Sequence, residues 1–280
     1  MSVPGHPRSH RMWLLYLILG VALLYAGLVS VAALSQTKML FPAQLAAASS
    51  PALPRSAERL EVTTPDGERL VGVRLGRTSD AKPLLLGFGG NAWNADAMAL
   101  YVHSLFPDHE VIAFHYRGYP PSTGEPSAQT LLADSLTIFD HEQQVRPRMV
   151  VAVGFSIGSG VAAYLAHHRS LAGLILVTPF DSLKALAREH FAWAPTSLLL
   201  RHHMPTIDLV RDRPTPSALI AAGRDTIVPA RRSEPLRTAI PNLVLDRTIA
   251  ETGHNDLYDH PAFAAAMREA MERFEAPAPR

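Results

Sequence analysis

Two hydrophobic patterns divide the chain. Met12 to Leu34 (MWLLYLILGVALLYAGLVSVAAL) carries no charged residue. As a helix rising about 1.5 Å per residue it spans about 35 Å, enough for a bilayer core. From Arg59 onward the pattern changes to short apolar runs of strand length alternating with stretches of helical period. RLEVTT and ERLVGVRL flank a Pro-Asp-Gly turn and read as a hairpin. PLLLGFGG has the short continuous apolar run of a strand buried on both faces, EVIAFHY reads as another buried strand, MVVAVGF and LAGLILVTP as the next strands, and SALIAAG and NLVLDRTI continue the alternation. Helical stretches lie between them at Ala95–Leu105, Leu131–Val145, Ile157–His168 and around Pro229–Ala239, and Pro261–Phe274 closes the chain. This order predicts an α/β architecture: a mostly parallel eight-stranded sheet flanked by helices.

The segment between Phe180 and Arg213 departs from that rhythm, because one connection holds two helical stretches. Such a segment above a parallel sheet reads either as a lid and pocket wall or as an ordinary crossover helix with its loop. The expected organisation is therefore an N-terminal segment 1–11, a transmembrane helix 12–34, a tether 35–57 marked by Pro42, Pro51 and Pro54, and a domain 58–280 with a helical cap at about 181–212. The apolar run exceeds the 7–15 residues of a signal-peptide core, which favours a retained anchor over a cleaved leader or a buried core helix. Arg8 and Arg11 precede it and Lys38 is the first basic residue after it, so the positive-inside tendency puts the domain on the non-cytoplasmic side of a single-pass membrane protein.

Composition narrows the chemistry. The net charge of +1 and scattered basic residues do not indicate a nucleic-acid partner. Cysteine is absent, so disulfides, thiol catalysis and cysteine-bound metals are excluded. The adjacent pairs His167-His168 and His202-His203 diverge on a helix and make no metal site, and no HExxH pattern or carboxylate cluster occurs.

In a sheet of this kind ligands bind at the carboxyl ends of the strands. Gly154-Phe155-Ser156-Ile157-Gly158 sits where a strand turns into a helix, which lifts the serine hydroxyl above the sheet at a helix N-terminus. A serine needs a base and the base an orienting acid, in chain order Ser, Asp or Glu, His. Asp225 follows the next-to-last strand and His254 the last. Asp181 competes for the acid and His260 for the base; Asp225 occupies the usual acid position, and His260 heads into the last helix. Gly87 to Ala92 formally fits G-x-G-x-x-G/A, but the next strand ends in His115-Tyr116-Arg117 without the acid that a dinucleotide ribose requires. That loop fits better as one wall of an oxyanion hole, with backbone N–H groups from Asn91 and Ile157. Trp93, Phe180, Phe191 and Trp193 are the candidate substrate-binding aromatics.

With these residues in place the chain resembles the serine α/β-hydrolases, within them the membrane-anchored Bem46/ABHD17-like group often filed with serine aminopeptidase-like S33 hydrolases. The resemblance rests on FGGNAWN, YRGYPPSTGEPS, GFSIGSG, TPFDSL, GRDTIVP and TGHNDLY, in that order. It implies Ser156 as nucleophile, Asp225 as acid, His254 as base and the Asn91 loop as oxyanion hole, with no cofactor or metal. The sequence departs from the family at Gly89 in place of a histidine, His115 in place of an aspartate and Pro120 in place of a glycine. The expected activity is cleavage of an acyl ester, thioester or amide in a small molecule, a lipid, or an acylated or peptidic substrate. A peptidase of the same fold and a catalytically inactive membrane adaptor are the alternatives.

Overall fold

The computed structural model describes residues 8–48, 50–76 and 82–276. Residues 1–7 of the expected N-terminal segment lie outside the described residues. The apolar helix expected over 12–34 runs further, from Arg8 to Leu40 (α1). Nothing in Ser35–Leu40 breaks a helix, and Phe41 stands before Pro42, where the helical conformation is disfavoured. The following segment is less irregular than its prolines predict: Ala43–Ala48 forms a short helix (α2). Asn94 Nδ2 donates to Ala46 O at 3.1 Å and to Ser50 Oγ at 3.0 Å, and Phe41 is buried.

Eight strands form one sheet: β1 (Glu58–Thr63), β2 (Arg69–Leu75), β3 (Leu84–Phe88), β4 (Val111–Phe114), β5 (Val150–Phe155), β6 (Gly173–Val177), β7 (Ser217–Ala222) and β8 (Leu243–Ile249). Their order is β1-β2-β4-β3-β5-β6-β7-β8. β1 and β2 pair antiparallel across the predicted turn, β2 joins β4 antiparallel, and all remaining pairs are parallel. The fully buried strands read as unbroken apolar runs because both faces are covered. In β5, Val150 and Ala152 enter one core, while Val151, Val153 and Phe155 enter the other.

Helices α3 (Ala95–Leu105) and α10 (Pro261–Glu275) cover one face. The other is covered by α4 (Ala128–Val145), α5 (Ile157–His168) and α9 (Ala230–Ala239). The α4 helix begins a turn before its apolar run, because Ser127 and Thr130 close a reciprocal capping box. The interrupted connection contains three short helices, α6 (Leu183–His190), α7 (Thr196–Leu199) and α8 (Thr206–Val210), where two were expected. Pro195 and Pro205 each stand at the N-terminus of a new helix.

The chain leaves β3 toward β4 on one side and returns to β5 on the other. The crevice at the carboxyl ends of β3 and β5 is thus the switch point, where open α/β sheets bind ligands.

Candidate active site

Ser156 occupies the turn between β5 and α5 with φ 52° and ψ −116°, a left-handed conformation that a side chain adopts only under constraint. Its N–H donates to Val177 O at 2.9 Å, and its carbonyl accepts from Ser159 N at 2.9 Å. The flanking glycines make that turn possible. A Cβ on Gly154 meets the Gly158 carbonyl and Ser159 Cα, and one on Gly158 meets the carbonyl oxygens of Phe88 and Gly89. These are backbone atoms that cannot give way. The Ser156 side chain does not cap α5 and lines the cavity above the sheet. Further along α5, a Cβ on Gly160 would meet Met204 and Thr206 of the 181–212 segment.

Asp225 and His254 arrive from the loops after β7 and β8. Arg224 N donates to Thr252 O at 2.8 Å, which ties the two loops together, and Gly253 N donates to Asp256 Oδ1 at 2.7 Å. Asp225 Oδ1 accepts from the backbone N–H groups of Ile227 (2.9 Å) and Val228 (2.7 Å). Its second oxygen, Oδ2, lies 2.7 Å from His254 Nδ1. Both side chains are buried. With Nδ1 as the donor to a carboxylate, Nε2 is left as the acceptor on the cavity side. Ser156 and His254 line that same cavity. Among the described residues Ser156 Oγ makes no hydrogen bond. Asp181, the alternative acid, is engaged elsewhere: Oδ1 accepts from Ser182 N at 2.7 Å, and Oδ2 lies 3.3 Å from Arg232. His260 caps α10 by accepting from Ala262 N at 3.2 Å.

The loop after β3 brings Gly90 and Asn91 beside the β5–α5 turn; a Cβ on Gly90 stands 3.8 Å from Ser156 Cβ. Among the described residues, neither the Asn91 nor the Ile157 N–H donates to another backbone group. Two tyrosines that the sequence reading passed over fix this loop. Tyr116 Oη donates to Gly89 O and Tyr119 Oη to Asn91 O, both at 2.7 Å. Their spacing in YRGY was the available signal. Arg117 between them turns away into an ion pair with Asp134 (Nη2–Oδ1 2.6 Å) and with Asp66 of the β1–β2 turn. His115, standing where the family has an aspartate, lies 3.3 Å from Asp96, which also binds Arg59 in a bidentate pair (2.7 and 2.8 Å).

The cavity encloses about 590 Å³. Trp93 and Phe180 line it, together with Leu183, Leu186 and Tyr258. Thr178, at φ 45°, turns the chain at the end of β6 and so brings Phe180 over the site. Tyr258 packs edge-on or tilted against Trp93 and Phe155, with centroids 5.0 and 5.9 Å apart. Burial, reinforced by the nearby Asp225 carboxylate, pushes its phenol up to about 12. Phe191 and Trp193 do not join this cavity. Phe191 lines a separate cleft against α1, and Trp193 is exposed, its carbonyl accepting from Tyr25 Oη at 3.0 Å. Among the described residues there is no group of three histidines and carboxylates that could hold a metal.

The sequence pattern of the alpha/beta hydrolase fold family matches residues 84–198. A Mycobacterium tuberculosis relative, the uncharacterized protein MT2364, is 33% identical over 264 residues, covering 91% of this chain and 92% of that protein. The lysophosphatidylserine lipase ABHD12 of Danio rerio is 30% identical over 135 residues, 45% of this chain and 34% of its own, in keeping with the ABHD-like resemblance of the sequence. Among solved structures, the Pyrococcus furiosus esterase Pf2001 superposes with a TM-score of 0.67 at 18% identity, covering 81% of this chain and 95% of that one, and so shares its fold.

Proposed function

We propose that this chain, which belongs to the α/β-hydrolase fold family, is a membrane-anchored serine hydrolase that cleaves a carboxylic ester, thioester or amide through an acyl-serine. The observation that carries the reading is the buried His254–Asp225 bond of 2.7 Å in the same cavity as a serine held at φ 52°. Ser156 Oγ attacks the acyl carbonyl while His254 Nε2 takes its proton; Asp225 holds the tautomer and stabilises the imidazolium. The carbonyl oxygen becomes an oxyanion between the N–H groups of Asn91 and Ile157, and α5 adds its N-terminal dipole. Collapse of the tetrahedral intermediate expels the leaving group, which takes the proton from His254. Water, deprotonated by the same imidazole, then attacks the acyl-serine and releases the acid. No step needs a metal or organic cofactor.

The apolar helix supports anchoring, with residues 12–34 in the bilayer and the domain on the non-cytoplasmic side, as the flanking Arg8 and Arg11 favour. The lipase activity named for the ABHD12 relative favours a lipid ester among the substrate classes.

A fluorophosphonate probe on the detergent-solubilised full chain tests the chemistry. Labelling of the wild type that is lost in Ser156→Ala is expected. A folded wild type that does not label overturns the enzyme reading in favour of an adaptor.

A further inference from the structure

The second cleft lies between the membrane helix and the cap. Its walls are Val29, Ala32, Ala33 and Met39 on α1, with Ala187 and Phe191 opposite. Gln36 is its main polar side chain, and that amide is already committed: Nε2 donates to Ala33 O (2.6 Å) and Leu199 O (3.1 Å), and Oε1 accepts from Arg201 N (2.8 Å). What the cleft offers a ligand is therefore hydrocarbon.

Leu40 lines both this cleft and the cavity holding Ser156. The α6 helix completes the partition: Leu186 faces the Ser156 cavity, while the adjacent Ala187 faces the cleft. The two spaces are thus separated by a half-buried leucine and one short helix.

The position of the cap along α1 gives the cleft its occupant. Tyr25 Oη reaches Trp193 O, and Arg201 Nη2 donates to Ala33 O at 2.8 Å. The cap therefore runs beside α1 from Tyr25 onward. Met12 to Leu24 alone rises only about 20 Å, short of a hydrocarbon core of about 30 Å. If α1 crosses the bilayer, the stretch beside Trp193 and Phe191 lies within hydrocarbon, and Arg201 and Lys38 mark the interface. Leu198 and Trp193, both exposed on the cap, fit that depth.

We propose that this cleft is an acyl-chain site open to the bilayer, which admits the chain of a membrane lipid past Leu40 so that its ester reaches Ser156. The proposal rests on the hydrolase reading and adds a substrate class and a lateral route.

The test uses the full chain in detergent and p-nitrophenyl esters of butyrate and laurate. Burial is worth roughly fourfold per methylene. The wild type should therefore favour laurate in kcat/KM by at least about tenfold. Ala187→Phe, or Val29→Trp from the opposite wall, fills the cleft and touches no residue assigned to the chemistry. Either variant should lose at least about tenfold on laurate while keeping butyrate hydrolysis and fluorophosphonate labelling. A wild type without chain-length preference overturns the proposal even if neither variant folds. So does a labelling-competent variant that retains laurate preference or loses both esters equally. Failure of wild-type labelling, or labelling that survives in Ser156→Ala, strikes the hydrolase reading instead.

Discussion

Asp225→Asn separates the two jobs of one carboxylate. Oδ1 accepts from two backbone N–H groups, Ile227 and Val228, and only an oxygen can serve there. An asparagine at this position must keep its carbonyl in the turn, which directs its NH₂ group toward His254 Nδ1. The imidazole then has to accept at Nδ1 and carry its proton on Nε2, the nitrogen that should take a proton from Ser156. The loop survives but the base is in the wrong tautomer. An equivalent substitution in a serine protease lowers kcat about 10⁴-fold, and a loss of about 10³–10⁴ is expected here. Stability should fall only modestly, because both turn bonds remain and the net worth of a bond to a charged acceptor is about 1.5–3 kcal/mol. Asp225→Ala, which removes all three contacts, should lose comparable activity and also unfold at lower temperature. The assays are kcat and kcat/KM on p-nitrophenyl butyrate, with thermal unfolding in the same detergent. Asparagine activity within tenfold of wild type would refute the assignment of Asp225 as the orienting acid.

Two further outcomes test the scaffold. Gly158→Ala ordinarily favours a helix by about 1 kcal/mol, yet here the new methyl meets the carbonyls of Phe88 and Gly89, and overpacking costs about 1–3 kcal/mol. Net destabilisation of up to about 2 kcal/mol in denaturant unfolding is expected, and an increase in stability contradicts the contact. At high pH the tyrosines decide stability: burial raises the phenols of Tyr101, Tyr116, Tyr119 and Tyr258, the last to about 12. Unfolded tyrosine ionises near 10. The folded state binds the extra protons, so this stability is full below about pH 10 and drains as pH rises through the folded values. Phenolate absorbance of these tyrosines should appear together with loss of near-ultraviolet circular dichroism; ionisation of all four in a fully folded protein contradicts their burial.

What the sequence could and could not disclose follows from the range of each signal. Strand ends and the Ala95–Leu105 helix were legible because periodicity is a local signal. Ser156, Asp225 and His254 could be assigned to one end of the sheet because each lies in the connection that follows a strand, and a parallel sheet brings those ends to one side. The difference between Asp225 and Asp181 lies in the long-range partner of each, His254 Nδ1 in the next loop for Asp225 and Arg232 of α9 for Asp181. Phe191 shows the limit most clearly. Its aromatic side chain in the cap makes it a candidate substrate-binding residue, but α6 and its C-cap have two apolar faces: Leu183 and Leu186 turn to the Ser156 cavity, while Ala187 and Phe191 turn to α1. Which face meets which partner depends on where a helix about 150 residues earlier in sequence comes to rest, and no pattern within the cap encodes that. The extension of α1 to Leu40 has the same consequence. Read as an anchor ending at Leu34 and followed by a loose tether, the helix has no bearing on the site. Continued to Leu40 and fastened through Gln36, and through Thr37 to His202 at 2.9 Å, it becomes a wall of the cavity that holds the serine.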